Sequence, residues 1–182
     1  EIIIEVLKLI PNEMPIKKIP TQRIGFSPEH LGFEGTLSLS SQLITSMIVE
    51  VGKQISDMGF KRLILLNAHG GQISLLNTSS RELRKIAPEL SVFPCFLWSG
   101  VKGLGNLLTQ SEIENGLHAS LAETSLMMAI KEDLVGKERP VDGISKDIPE
   151  GWSLEGDAPT SWFTKDLSQT GVIGDSRGAN IN

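Results

Sequence analysis

An α/β fold with a mostly parallel sheet is what this 182-residue sequence predicts, and two observations carry it. Two short, continuous apolar runs, RLILLN (62–67) and LSVFPCFLW (90–98), read as strands. Between them GQISLLNTSSRELRKIAPEL carries a helical stripe at Leu75, Leu76, Ser79, Leu83 and Ile86 that ends before Pro88. The order strand, helix, strand implies a right-handed crossover between parallel neighbours.

The elements follow in order. The chain opens inside an apolar, helix-like pattern, EIIIEVLKLIPNE, without an initiator Met or a cap, and it closes in the Gly-rich GVIGDSRGANIN. A single domain over 1–182, incomplete at both ends, is therefore expected. IKKIPTQRIGFSPEHLGFEGT mixes Pro, Gly and aromatic residues over a stretch too long for a plain connection, which suggests a functional loop. Apolar Leu43, Met47, Ile48, Val51, Ile55 and Met58 predict a helix over 41–58, with Ser40 as N-cap and Gly59 as terminator. Leu39 and Ile44 stand at the positions of a hydrophobic staple. RLILLN reads as a strand buried on both faces, whereas Pro94 marks the second strand as an edge or a bulge. ENGLHASLAETSLMMAIKEDLV predicts a third helix with Leu121, Leu126, Met127 and Ile130 on its buried side. From about 133 onward Pro, Gly and Asp dominate, and no period or repeat survives.

Charge and composition exclude several classes. A net charge of −5, with Lys and Arg scattered, offers no field for phosphates, so a nucleic-acid partner is excluded and a small-molecule substrate expected. The single cysteine, Cys95, sits in an apolar run and is expected in the core. With no internal disulfide possible and no span or signal pattern, a cytoplasmic protein that does not engage membranes is the expectation. No GxSxG elbow or GxxxxGK[ST] loop occurs.

Three places could do chemistry. Asn67 to Gly71 falls where a buried strand ends and a helix begins, the edge at which open α/β sheets bind ligands. Gly70 and Gly71 permit a tight turn that leaves His69 uncovered, although a capped turn with a satisfied polar histidine would look the same. In GLHASLAETS, His118 and Glu123 are types that bind zinc, manganese or iron. Five residues on a regular helix turn through about 140°, so either His118 precedes the helix or the two have separate roles. Spacing alone leaves an exposed helix residue and a loop residue equally open. In GFSPEHLGFEGT, Glu29 and His30 lie in a loop flanked by Phe26 and Phe33 that could wall a substrate pocket or could pack only on itself.

SPEHLGFEGTLSLS, ILLNAHGGQ, HASLAETSLMM and TSWFTKDLSQTGVIGD together resemble, in order and spacing, the creatininase (creatinine amidohydrolase) family. The resemblance implies a three-layer α/β fold with a mostly parallel central sheet and helices on both faces. It also implies a divalent metal centre, zinc foremost with manganese or iron as other choices, and homo-oligomers that are commonly hexamers. The implied activity is hydrolysis of a C–N bond in a small cyclic or linear amide by metal-activated water. Carried over by motif, His69 and Glu123 are implied metal ligands. His118 is the implied catalytic residue, stabilising the oxyanion or protonating the leaving nitrogen. His30 and Glu29, with Gly70 and Gly71, are implied on the substrate side.

The sequence departs from the family pattern in four ways. Glu34 and Gln72 replace a common Pro and Asn, and Gly71 stands where creatinine-hydrolysing members carry a carboxylate, which favours the subgroup with HGG, whose activities include formamide hydrolysis and peptide trimming. The family's amino-terminal EQHGxHLPxxTD motif has no counterpart, which leaves His69 and Glu123 two ligands short of a tetrahedral ion. A central piece of a longer protein is therefore expected. Two other classes stay open: a non-catalytic small-molecule binding or assembly protein that retains the fold, and an enzyme holding phosphate at the NAHGG turn.

Overall fold

The computed structural model describes residues 2–143, 148–155 and 158–181. In chain order the elements are α1 (Ile2–Leu9), α2 (Ser41–Asp57), β1 (Arg62–Asn67), α3 (Ile73–Ile86), β2 (Ser91–Phe96), α4 (Leu104–Leu107), α5 (Gln110–Asn115), α6 (Leu121–Lys131), β3 (Val141–Asp142), α7 (Thr164–Leu167) and β4 (Gly174–Asp175). They fall into two compact units, Arg23–Gly103 and the combination of Glu1–Gln22 with Leu104–Asn182.

The first unit is the α/β one. β1 and β2 run parallel, with Leu63 opposite Val92, Leu65 opposite Pro94 and Asn67 opposite Phe96. α2 begins where the Ser40 hydroxyl accepts the Leu43 amide at 3.2 Å. It ends one residue before the expected 58. There Met58 caps the helix, Gly59 turns at φ 91°, and the Phe60 amide donates to the Ile55 carbonyl. Leu39 packs on the cluster that contains Ile44.

Burial corrects two details. The buried stripe of α2 is Ile44, Ile48, Gly52 and Ile55, while Leu43 and Met58 are exposed. The reason is Gly52: a Cβ there would sit 2.2 Å from Leu83 Cδ2, so α2 meets α3 across a position with no side chain. On α3, Ser79 and Ser80 are buried with their hydroxyls donating to the carbonyls of Leu75 and Leu76, and Ile86 is exposed.

β1 is not buried on both faces. Leu63, Leu65 and Val92 pack on the helix cluster, whereas Ile64 is 61 % exposed, Phe93 is 47 % exposed and Leu66 also faces out. Both contacting helices meet the sheet on one side, so the alternation of a half-covered sheet replaces the continuous burial read from the sequence. Cys95, expected in the core, pairs with Leu66 on that open face and is exposed.

In the second unit the expected third helix is two helices. α5 ends at Gly116, and the chain then pairs as a strand: the amides of Leu117 and His118 donate to the Ile173 carbonyl, and the Ile173 amide donates back to the His118 carbonyl. α6 starts only at Leu121, and none of its residues is fully buried, Leu121, Leu126, Met127 and Ile130 included. β3 and β4 form a short antiparallel ribbon with Val172, Ile173 and Leu154 buried in the same unit. The Asp142 carboxylate accepts from the amides of Gln169 and Thr170 and the hydroxyls of Ser168 and Thr170, and these bonds hold it well below the usual carboxylate range. No helix among the described residues is long and apolar enough to cross a membrane.

Candidate active site

The first unit gathers five of the expected site residues, Glu29, His30, His69, Gly70 and Gly71, at the carboxyl end of β1. Asn67, 3 % exposed, fixes the turn: its Oδ1 accepts the His69 amide at 3.0 Å and its Nδ2 donates to the His69 carbonyl at 2.8 Å. Gln72 ties this turn to the preceding loop. Its Nε2 donates to Asn67 Oδ1 at 2.8 Å, and its Oε1 accepts the Phe26 amide at 3.2 Å. The loop turns back through a single 3₁₀ turn, Pro28–His30, with the Ser27 amide on the Ser38 hydroxyl.

This arrangement sets Glu29 Oε1 2.6 Å from His69 Nε2 and 3.6 Å from His30 Nε2, with the two imidazole rings 5.6 Å apart and tilted by 55°. The Glu29 and His30 side chains are only 11 % and 12 % exposed. One donor atom from each of Glu29, His30 and His69 lies within 4.8 Å of the others. Gly71 makes the approach possible, because a Cβ there would lie 2.2 Å from Glu29 Oε1 and 2.8 Å from His69 Nε2.

The contact between Glu29 and His69 is close but out of line. His69 Nε2 is buried and makes no hydrogen bond of acceptable angle, so proximity and charge describe the pair better than a formed bond does. Burial alone would raise the Glu29 pKa; the His69 contact, the residue's own backbone amide and the charges of both histidines outweigh it, so Glu29 lies below its ordinary value. A half-buried carboxylate beside two imidazoles, one with an unsatisfied nitrogen, is a donor set that suits a first-row divalent ion. Beside the turn a cavity of about 240 Å³ is lined by Asn67, Ile73, Asn77, Cys95 and Ser99.

His118 and Glu123 lie in the second unit. His118 precedes α6, which settles the question left by their spacing. Its Nδ1 is 3.8 Å from Glu123 Oε2, and the same oxygen accepts the Ala119 amide at 2.8 Å. Both side chains are about one-third exposed.

The sequence assigned no positioning role to Asn67 or Gln72 and did not mark Glu112. Asn67 and Gln72 were legible in principle, since an Asn two residues before the histidine signals an Asx turn. Glu112, buried behind Ser120, sent no local signal, because its partners lie 8 and 10 residues on.

A profile of the creatininase family, described as creatinine amidohydrolase, matches residues 2–182. Among curated proteins, the mycofactocin precursor peptide peptidase of Mycolicibacterium smegmatis is 28 % identical over 131 residues, covering 72 % of this chain and 47 % of that protein. The creatinine amidohydrolase of Pseudomonas putida is 30 % identical over 120 residues, covering 60 % and 46 %. A crystal structure of creatinine amidohydrolase aligns with TM-score 0.68 at 21 % identity, over 88 % of this chain and 65 % of that one. A manganese creatininase and a mutant creatininase of Zn–Zn type align with TM-scores of 0.57 and 0.56, each at 23 % identity over 82 % of this chain and 59 % of theirs. The chain spans about half the length of the curated relatives it matches.

Proposed function

Because the chain belongs to the creatininase family, we propose that it serves a metal-dependent amidohydrolase in which Glu29, His30 and His69 hold a divalent cation. The observation that carries this reading is the convergence of those three donors around the unsatisfied Nε2 of His69. The manganese and Zn–Zn forms among the similar structures support either ion, and zinc is the first choice for two imidazoles and a carboxylate. Such an ion, when bound, polarises an amide carbonyl and activates water.

The remaining work falls to the chain. Asn67 and Gln72 fix the His69 backbone and the loop that carries Glu29, so that the donors are placed before substrate arrives. Gly70 leaves open space at the turn for substrate, Gly71 lets Glu29 close on His69, and the adjoining cavity admits a small group. His118 stabilises the developing oxyanion or protonates the leaving nitrogen, a task suited to imidazole near neutrality. Glu123 is carried over as a metal ligand from the family motif. The substrate is a small linear or cyclic amide rather than creatinine itself, as Gly71 offers no carboxylate; a peptide amide is the second choice, supported by the peptidase relatives. We place the protein in the cytoplasm as a homo-oligomer.

Metal per chain after purification without added ions tests the reading. One or two equivalents of zinc, manganese or iron in the native protein, lost in His69→Ala and Glu29→Gln, is the expected result. No metal in the native protein, together with no hydrolysis of formamide, creatinine or a short peptide, would leave a small-molecule binding protein that keeps the fold.

A further inference from the structure

We infer that Glu112 is a positioning residue for the His118–Glu123 segment, acting through Ser120 and the first turn of α6. The inference rests on the reading of His118 and Glu123 as site residues; the placement itself rests on geometry. Glu112 is 7 % exposed, and a carboxylate that deep needs donors. It has two. The Ser120 hydroxyl donates to Oε2 at 2.6 Å, and the Ala122 amide donates to Oε1 at 2.9 Å.

Ala122 is the second residue of α6, and its amide is one that the helix's own N-cap side chain normally satisfies. Ser120 occupies the N-cap but caps nothing, because its hydroxyl is turned to Glu112 and accepts the Asp175 amide at 3.0 Å. A carboxylate from α5 therefore does the capping, and the same contact fixes where the chain leaves the pairing with Ile173 and enters α6. Between those two anchors lies Ala119 at φ 49°, a conformation that side-chain-bearing residues rarely adopt. Its amide is held by Glu123 Oε2 and its carbonyl by the Thr124 hydroxyl, so strain, cap and both candidate side chains share one short segment.

Two glycines pack closely on the pair. A Cβ at Gly116 would lie 2.5 Å from either Glu112 carboxylate oxygen, and one at Gly174 would lie 2.3 Å from Ser120 Oγ. A helix cap needs neither restriction. Holding His118 and Glu123 in a set orientation does, since displacement of a reacting group by about 1 Å can cost on the order of a hundredfold in rate.

The test uses the full chain and three variants, Glu112→Ala, Glu112→Gln and Ser120→Ala. The readouts are amide exchange along 117–123, acylation of His118 by diethyl pyrocarbonate, manganese content, and kcat and KM on whichever of formamide, creatinine and a short peptide the native protein hydrolyses. The expected result for Glu112→Ala is faster exchange at Ala119 and Ala122, altered His118 acylation, and kcat lower on the order of a hundredfold with KM nearly unchanged. Glu112→Gln, which keeps an acceptor for the Ala122 amide, should recover part of the loss. A lower melting temperature with native exchange, acylation and kcat would overturn the inference. If Glu112→Ala does not fold, Ser120→Ala decides by the same readouts. If the native protein hydrolyses none of the three amides, the function reading fails, while exchange and acylation still decide whether Glu112 positions His118.

Discussion

At the scale of single residues, Glu29 is where chemistry and stability meet. Its folded pKa is depressed, so it adds stability that is fully present above the ordinary carboxylate value and is lost as pH falls through the folded one. Urea midpoints measured from pH 6 to pH 3 should therefore fall further for the native protein than for Glu29→Gln, and parallel curves would refute the assignment. Gly71→Ala should act on the same oxygen by collision, separating Glu29 from His69 and costing on the order of 1–3 kcal/mol together with the bound metal. In the second unit the two candidates should separate by readout. His118→Ala should lower turnover with metal content little changed, whereas Glu123→Ala should lower metal content first. A parallel loss of metal in both would make His118 a ligand. The donor types at these positions were legible in the sequence. That Glu29 touches His69 was not, because forty residues and the Gln72 bridge lie between the local pattern and the contact.

At the scale of elements, α2 and α3 show what periodicity can and cannot report. Ser40, Gly59 and the apolar spacing marked α2 to within a residue, since caps and terminators act locally. Its buried face was misjudged because Gly52, the point of closest approach, adds nothing to a count of apolar side chains. Leu83, with no exposed surface, should cost about 2–5 kcal/mol when cut to Ala, read as a fall in the urea midpoint. The break between α5 and α6 was also hidden. It is caused by Ile173, which takes the amides of Leu117 and His118 from more than fifty residues away, and no window of helical propensity contains that partner.

At the scale of the whole molecule, the α/β class and the parallel pair were legible because a strand, a helix and a strand follow one another within 62–96. The coverage of the sheet was not. Ile64, Leu66, Phe93 and Cys95 look like core residues in sequence and line an open face in the structure. Cys95 should accordingly react with a water-soluble disulfide reagent in the folded chain at a rate close to that in urea, and strong protection would refute the exposure. The expectation of one domain over 1–182 is open to the same kind of measurement, since a single domain unfolds in one transition by every probe.

The close approach of Gly52 to Leu83 has a meaning for the history of the sequence. Two helices that touch through a missing side chain on one partner and a large one on the other share a fixed volume between them. Gly52→Ala alone should destabilise, and so should Leu83→Val alone. Made together they should cost less than their sum, by a coupling of about 0.5–3 kcal/mol. Descent with change would then proceed by exchange: wherever a lineage gains a methyl group at 52, its surviving members should be those that have given one up at 83.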